Sequence, residues 1–304
     1  MGARRPVLCL GAGFLAGLAM ACSRGQPDAA GPRYTRHPPD TRREYVFAVH
    51  PLHNPQRLFA IYGPVIDRIN AESPGLRFRL EASRDYAAFE RKLAGRQVHF
   101  ALPNPYQTLM SASFGYRVFG KMGDDTQFRG LILVRRDRGI ASIQDLKGKT
   151  VCYPAPTALA ATLLPQYFLQ TRGLDLDRDT RTVYVGTQES VILNVHLGLA
   201  DAGATWPIPW LAFVREHPRE ARELVVRWQT SALPNNGLVV RDDVPVSVTR
   251  RVEHALFSLH QDPEGQRILG QIPLSRFEPA SSATYAPVRA FMKRFEARVR
   301  SLDG

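Results

Sequence analysis

The chain has 304 residues, with 40 Lys and Arg against 28 Asp and Glu and a formal net charge of +12. Three cysteines are too few to staple a chain of this length, which is long enough to be held by its own core. The basic residues are scattered, as in Arg215, Arg219, Arg222 and Arg227, without interleaved aromatics, so they read as a solvated surface and argue against a nucleic-acid partner.

Arg4 and Arg5 precede an apolar run, Val7 to Met20, that stops at Ala21 and Cys22. The run is shorter than the roughly 20 residues a spanning helix needs, and small residues before Cys22 suit a signal peptidase. Residues 1–21 are therefore expected to be an export signal. Cys22 resembles the lipidated cysteine of a bacterial lipoprotein, which predicts a periplasmic protein tethered to a membrane; a plainly cleaved secretory signal is the alternative. Residues 22–43 are rich in Pro, Gly, Arg and Asp and read as a flexible spacer. With the signal removed, Cys152 has no thiol partner and is expected to be a buried structural residue.

From there strand-like and helix-like segments alternate, which predicts an α/β fold with mainly parallel strands. Strands are expected at 45–50, 76–82, 98–103, 130–135, 150–153, 182–186, 200–205, 224–228 and 237–241. Apolar residues at three- and four-residue spacing predict helices at 55–70, 86–94, 105–112, 157–171, 189–197 and 248–260. Gly130 to Val134 and Gly237 to Val240 read as a pair of hinge strands. They divide the body into one lobe of residues 44–129 plus 240–304 and an inserted lobe of residues 130–239, with a ligand cleft between them.

Ile143-Gln144-Asp145-Leu146-Lys147-Gly148-Lys149-Thr150-Val151, followed by Tyr153, Pro156, Leu163 and Pro165, resembles the phosphate, phosphite and phosphonate substrate-binding proteins of ABC transporters. The likeness continues in Asp85-Tyr86, in Pro103-Asn104-Pro105-Tyr106, in Gly198-Leu199-Ala200-Asp201-Ala202-Gly203-Ala204, and in Leu233-Pro234-Asn235-Asn236. The resemblance implies a type II periplasmic binding fold, two α/β lobes that close on a ligand, with permease and ATPase subunits as partners. It places Thr157, Ala158, Leu159 and Ala160 where the family carries its Ser/Thr cluster, and Gln188 where it often has His. It also implies ligand-facing roles for Tyr106, Asn104, Glu189 and Asp201.

In this chain only one hydroxyl, on Thr157, stands in that cluster, so the first-turn amides of the helix are left to hold an anion. Gln188 cannot become a cation. The expected ligand is therefore less anionic than phosphate: a monoanion, a zwitterion, or something larger and more apolar. His53 and Asn54 follow the first strand, where open α/β sheets bind ligands. Each candidate has a plainer reading: Asn54 and Thr157 as helix caps, Tyr106 and Trp206 as packing. No nucleophile elbow, zinc-like Cys/His spacing or phosphate loop is present, so neither enzymatic activity, metal nor cofactor is expected. Two alternatives to a transport receptor remain, a receptor presenting its ligand to a membrane histidine kinase and a binding fold turned into a protein-interaction module.

Overall fold

Side chains of the first strand alternate between two apolar environments: Tyr45, Phe47 and Val49 face one core, Val46 and Ala48 another. A strand buried on both sides belongs inside a sheet covered by helices on each face. The computed structural model describes residues 43–302; the expected export signal, Cys22 and the spacer up to residue 42 lie outside the described residues.

In chain order the elements are β1 (Arg43–Val49), α1 (Pro55–Ala71), β2 (Leu76–Glu81), α2 (Tyr86–Ala94), β3 (Phe100–Leu102), α3 (Pro105–Ser111), β4 (Tyr116–Met122), β5 (Leu131–Arg135) and β6 (Lys149–Tyr153). A π turn (Leu159–Leu163) then leads into α4 (Leu164–Gln170), followed by α5 (Leu176–Asp179), β7 (Thr180–Tyr184), α6 (Gln188–His196), β8 (Ala202–Thr205), α7 (Pro207–Glu216), α8 (Pro218–Glu223) and β9 (Leu224–Gln229). The chain ends with β10 (Gly237–Arg241), α9 (Val246–Ser258), α10 (Pro263–Gln271), β11 (Phe277–Pro279) and α11 (Ala286–Arg298).

The strands form two sheets, one of six in the order β11-β4-β10-β3-β1-β2 and one of five in the order β7-β6-β8-β5-β9. Each is the centre of a lobe. The expectation of mainly parallel strands does not hold, because five of the nine strand pairings are antiparallel. The reason is topological. β5 and β10 each begin just after the chain has crossed between lobes, so they run away from the cleft while β1, β2, β3, β6, β7 and β8 run toward it.

β5 and β10, read from sequence as the two hinge strands, each follow a crossing and lie in different sheets. β5 pairs with β8 and β9, whereas β10 pairs with β3 and β4. Gly237–Val239, assigned to the inserted lobe from sequence, thus lies in the first sheet. The segments that run side by side are the connections 123–130 and 230–236. Leu233 N–H donates to Phe128 O at 3.1 Å, Thr230 N–H to Gly130 O at 3.0 Å, and Met122 N–H to Asn236 O at 2.9 Å. Lys121, a buried cation, fastens this region by donating to Asp125 Oδ1 at 2.8 Å and pairing with Glu278 Oε1 at 2.6 Å.

Candidate functional site

Six strands deliver their following loops to the gap between the lobes, and most of those loops end in a polar helix cap. Asn54 Oδ1 accepts the Arg57 amide at 3.0 Å, Asp85 Oδ1 the Ala88 amide at 2.7 Å, and Thr187 Oγ1 the Ser190 amide at 3.0 Å. Asn104 forms a full capping box: its Oδ1 accepts from Gln107 N at 3.1 Å while Gln107 Oε1 accepts from Asn104 N at 3.2 Å. These caps satisfy first-turn amides that lack intrahelical partners, and they fix short polar side chains at the cleft.

The loop after β6 is built differently. No side chain caps its helix, and Ala158 O accepts both Thr162 N at 2.7 Å and Leu163 N at 3.2 Å, so the helix opens as a wide π turn. The capping role expected of Thr157 is absent because its hydroxyl is engaged elsewhere: it donates to Glu90 Oε1 on α2 at 2.6 Å. Thr162, the hydroxyl inside the turn, donates back to Ala155 O at 2.8 Å and pins the loop.

Polar groups from the two lobes meet directly. Asn54 Nδ2 donates to Glu189 Oε2 at 3.3 Å, Asn104 Nδ2 to Thr157 O at 3.1 Å, and Gln188 Nε2 to the Tyr86 hydroxyl at 3.3 Å. Arg57 forms an ion pair with Glu216 across the same gap. Apolar packing is continuous there as well, since Leu52, Phe128, Ala158, Leu159, Ala160 and Trp206 belong to one buried cluster. Two cavities lined by both lobes flank these contacts. One, of about 770 Å³, includes Asn54, Arg57, Glu189 and Glu216; the other, of about 500 Å³, includes Tyr86, Glu90, Thr157, Tyr184 and Arg300.

Charge in the gap is mixed: Arg57, Arg215 and Arg267 line the larger cavity with Glu189 and Glu216, while Arg300 lines the smaller one with Asp85 and Glu90. Burial lowers His50 to about 4, against a weaker opposing effect of the bond its Nδ1 makes to Leu102 O at 2.9 Å. Burial, then the charges of Arg57 and His50, lower His53 to about 3. Both imidazoles are neutral near pH 7 and bring no cation to an anionic ligand. Gln188 is fully engaged, with Thr205 Oγ1 donating to its Oε1 at 3.0 Å.

The structure thus gathers His53, Asn54, Asn104, Thr157, Ala158, Leu159, Ala160, Gln188, Glu189 and Trp206 around one interlobe gap. Trp206 is buried with its ring 5.5 Å from that of Phe128, edge to face, so it is packed as well as cleft-facing. Tyr106 lies half-buried on the first turn of α3 against the main core. Asp201 is not brought to the gap. It precedes β8, at the end remote from the cleft, and its Oδ2 accepts the Thr150 amide at 2.9 Å at the start of β6. Sequence reasoning missed Glu90, Gln107, Arg57 and Glu216. Gln107 was legible, as the N3 residue of an Asn-Pro-x-Gln box; the others lie on helix faces that carry no motif.

Residues 47–285 match the family model described as ABC transporter, phosphonate, periplasmic substrate-binding protein. The chain belongs to this family. It is a family of transport binding proteins, and its match takes in every cleft loop named above. Among curated proteins the chain is 21% identical over 174 residues to a probable ABC transporter phosphite-binding protein of Prochlorococcus marinus, covering 53% of this chain and 59% of that relative. The alignment therefore spans little more than half of the relative. Among solved structures, a binding-protein component of an ABC phosphonate transporter from Pseudomonas aeruginosa superposes with a TM-score of 0.78 at 17% identity, covering 84% of this chain and 87% of that one. The PhnD1 protein of Prochlorococcus marinus, solved in complex with methylphosphonate, gives a TM-score of 0.76 at 16% identity, covering 84% and 98%. At such identities the superpositions speak for the fold, a type II periplasmic binding architecture. The phosphonate-family cleft of this chain has its loop hydroxyl turned to Glu90 and its side-chain amides donating across the gap to Glu189, the Thr157 carbonyl and the Tyr86 hydroxyl.

Proposed function

We propose that the chain is an extracytoplasmic solute receptor that closes its lobes on a small polar ligand less anionic than phosphate and delivers it to an ABC permease and its ATPase. Family membership supports the receptor role. The observation that carries the ligand class is the distribution of donors in the cleft. Thr157 Oγ1 is bonded to Glu90 and Gln188 lies between Tyr86 and Thr205, so the loop hydroxyl and the Gln188 amide are already engaged, and Glu90 stands in the smaller cavity with Thr157. A buried dianion needs several charge-assisted bonds, each worth about 1.5–3 kcal/mol, and in the cavity beside the β6 loop Arg300 is the one cationic side chain. In this reading residues 1–21 direct export, and Cys22 carries a lipid anchor that holds the receptor at a periplasmic membrane face.

A thermal-shift screen of the purified chain against phosphate, phosphite, methylphosphonate, monoanionic sulfonates and amine-bearing zwitterions tests this. A ligand present at a hundred times its Kd stabilises the fold by about 2.7 kcal/mol. Stabilisation by the less anionic compounds is expected. Stabilisation by phosphate or methylphosphonate alone would overturn the ligand class, and a flat response to the whole panel would overturn the receptor role. The direct pairing of cleft residues favours one second reading, a protein-interaction module, for which a flat response is the expected result.

A further inference from the structure

We propose that Glu90 is a specificity-determining residue of the cleft, selecting solutes that carry an ammonium group and disfavouring those that present only negative charge. This rests on the receptor reading above and deepens it.

Glu90 is held in place by a ring of bonds. Thr157 Oγ1 donates to its Oε1 at 2.6 Å and Gln107 Nε2 donates to the same oxygen at 2.9 Å. Gln107 is locked by its capping box with Asn104, and Asn104 Nδ2 reaches across to Thr157 O at 3.1 Å. Both donors act on Oε1, so Oε2 has no hydrogen-bond partner among the described residues.

Glu90 also lines the interlobe cavity of about 500 Å³, together with Tyr86, Tyr184 and Asp85. Carboxylates beside aromatic faces attract an organic cation. The one cationic side chain in that lining, Arg300, donates to Pro156 O at 2.8 Å and to Gln166 Oε1 at 3.4 Å. Burial raises the Tyr86 phenol, the Gln188 hydrogen bond opposes this, and the Glu90 charge adds to it, which places that charge within electrostatic reach of the cross-cleft pair. An incoming ammonium can satisfy Oε2 without disturbing the ring. An oxyanion at the same place meets an acceptor where it needs a donor.

The test uses two pairs of probes in which a methyl group replaces the ammonium: 4-aminobutyrate with pentanoate, and 2-aminoethylphosphonate with propylphosphonate. Calorimetric titration of the purified wild-type chain is expected to show the amine binding at least about tenfold more tightly than its alkyl partner in one pair, equivalent to about 1.4 kcal/mol. In Glu90→Gln, which keeps an oxygen for Thr157 and removes the charge, that ratio is expected to fall below about threefold. An unchanged ratio in a folded Glu90→Gln overturns the inference. So does a wild-type protein that binds both members of each pair equally, whatever the variant's folding. If the wild type binds only methylphosphonate or another oxyanion, the role of Glu90 falls while the receptor reading stands. If it binds nothing in either panel, both fall.

Discussion

Gly130 stands where the first connection between lobes passes under the cleft helix, and adding one methyl group there should disturb both. A Cβ built on Gly130 would lie 2.6 Å from Ala160 O and 2.7 and 2.8 Å from the Pro165 Cγ and Cδ atoms. Neither neighbour is the end of a flexible side chain, so the turn carrying Ala158 to Ala160 or the connection itself must move. The connection is held by Thr230, whose Oγ1 accepts the Gly130 amide at 2.9 Å and whose amide donates to Gly130 O at 3.0 Å. Overpacking of this kind costs about 1–3 kcal/mol. For a body of this size each kcal/mol moves Tm by about 2–4 °C, so Gly130→Ala is expected to melt roughly 2–12 °C below wild type. Gly270→Ala is the control. Nothing lies within 4 Å of the added carbon and the site is exposed in α10, so the substitution should stabilise by about 0.5–1 kcal/mol. Calorimetric melts of the three proteins under one buffer decide it, and a Gly130→Ala midpoint within about 1 °C of wild type would refute the close packing of turn against connection.

His50 and His53, lowered to about 4 and about 3 by burial, bind a proton in the unfolded chain at higher pH than in the folded one, so stability should fall as pH drops from about 6.5 toward those values. The slope is about 1.4 kcal/mol per pH unit for each histidine, and urea unfolding between pH 7 and pH 5 should show it flattened in His50→Gln and His53→Gln; equal slopes in all three proteins contradict it. Lys121→Met leaves Asp125 and Glu278 facing each other without their cation, a loss of about 1–3 kcal/mol after allowance for the exposure of both carboxylates, and an unshifted urea midpoint would speak against the fastening role. Burial pushes the Cys152 thiol up to about 12, so iodoacetamide at pH 8 should leave Cys152 unlabelled in the native protein and label it fully in urea, as mass spectra of the peptide that carries it will read; rapid native labelling of Cys152 would contradict the burial.

Apolar periodicity made most of the fold legible in the sequence, and the misses have local causes. α7 was hidden by Pro207 and Pro209, which suggest a turn but sit in the first helical turn, where an amide has no intrahelical partner to lose. β4 was hidden by Gly120 and Lys121, a small residue and a charge in what is otherwise a buried strand; Gly120 is required because a Cβ would lie 2.8 Å from the Phe257 ring, and the charge is satisfied by Asp125 and Glu278. Of the site, the caps and loops at the strand ends were readable because Asn-Pro pairs before helices have few other uses. Asp201 was misplaced because a motif gives order along the chain and not the end of the strand at which a side chain stands. Glu90 was invisible because no motif marks it and its bond from Thr157 crosses the cleft.

Those cross-cleft contacts set a condition on any ligand. Each of the two neutral bonds between the lobes, Asn104 to Thr157 O and Gln188 to Tyr86, contributes about 0.5–1.5 kcal/mol net, and the apolar packing of Leu159 and Trp206 with Leu52 and Phe128 adds to closure without help from a solute. A ligand shifts an opening and closing equilibrium only by its differential affinity for the two forms, and its apparent affinity falls by the fraction of molecules unable to admit it. A solute that had to break the Asn104, Thr157, Gln107 and Glu90 ring would replace satisfied bonds with new ones and gain little. One that satisfies the second oxygen of Glu90 keeps the ring and adds a bond to it. The same contacts that hold the lobes together in this structure thus favour a ligand that completes the pairing over one that displaces it.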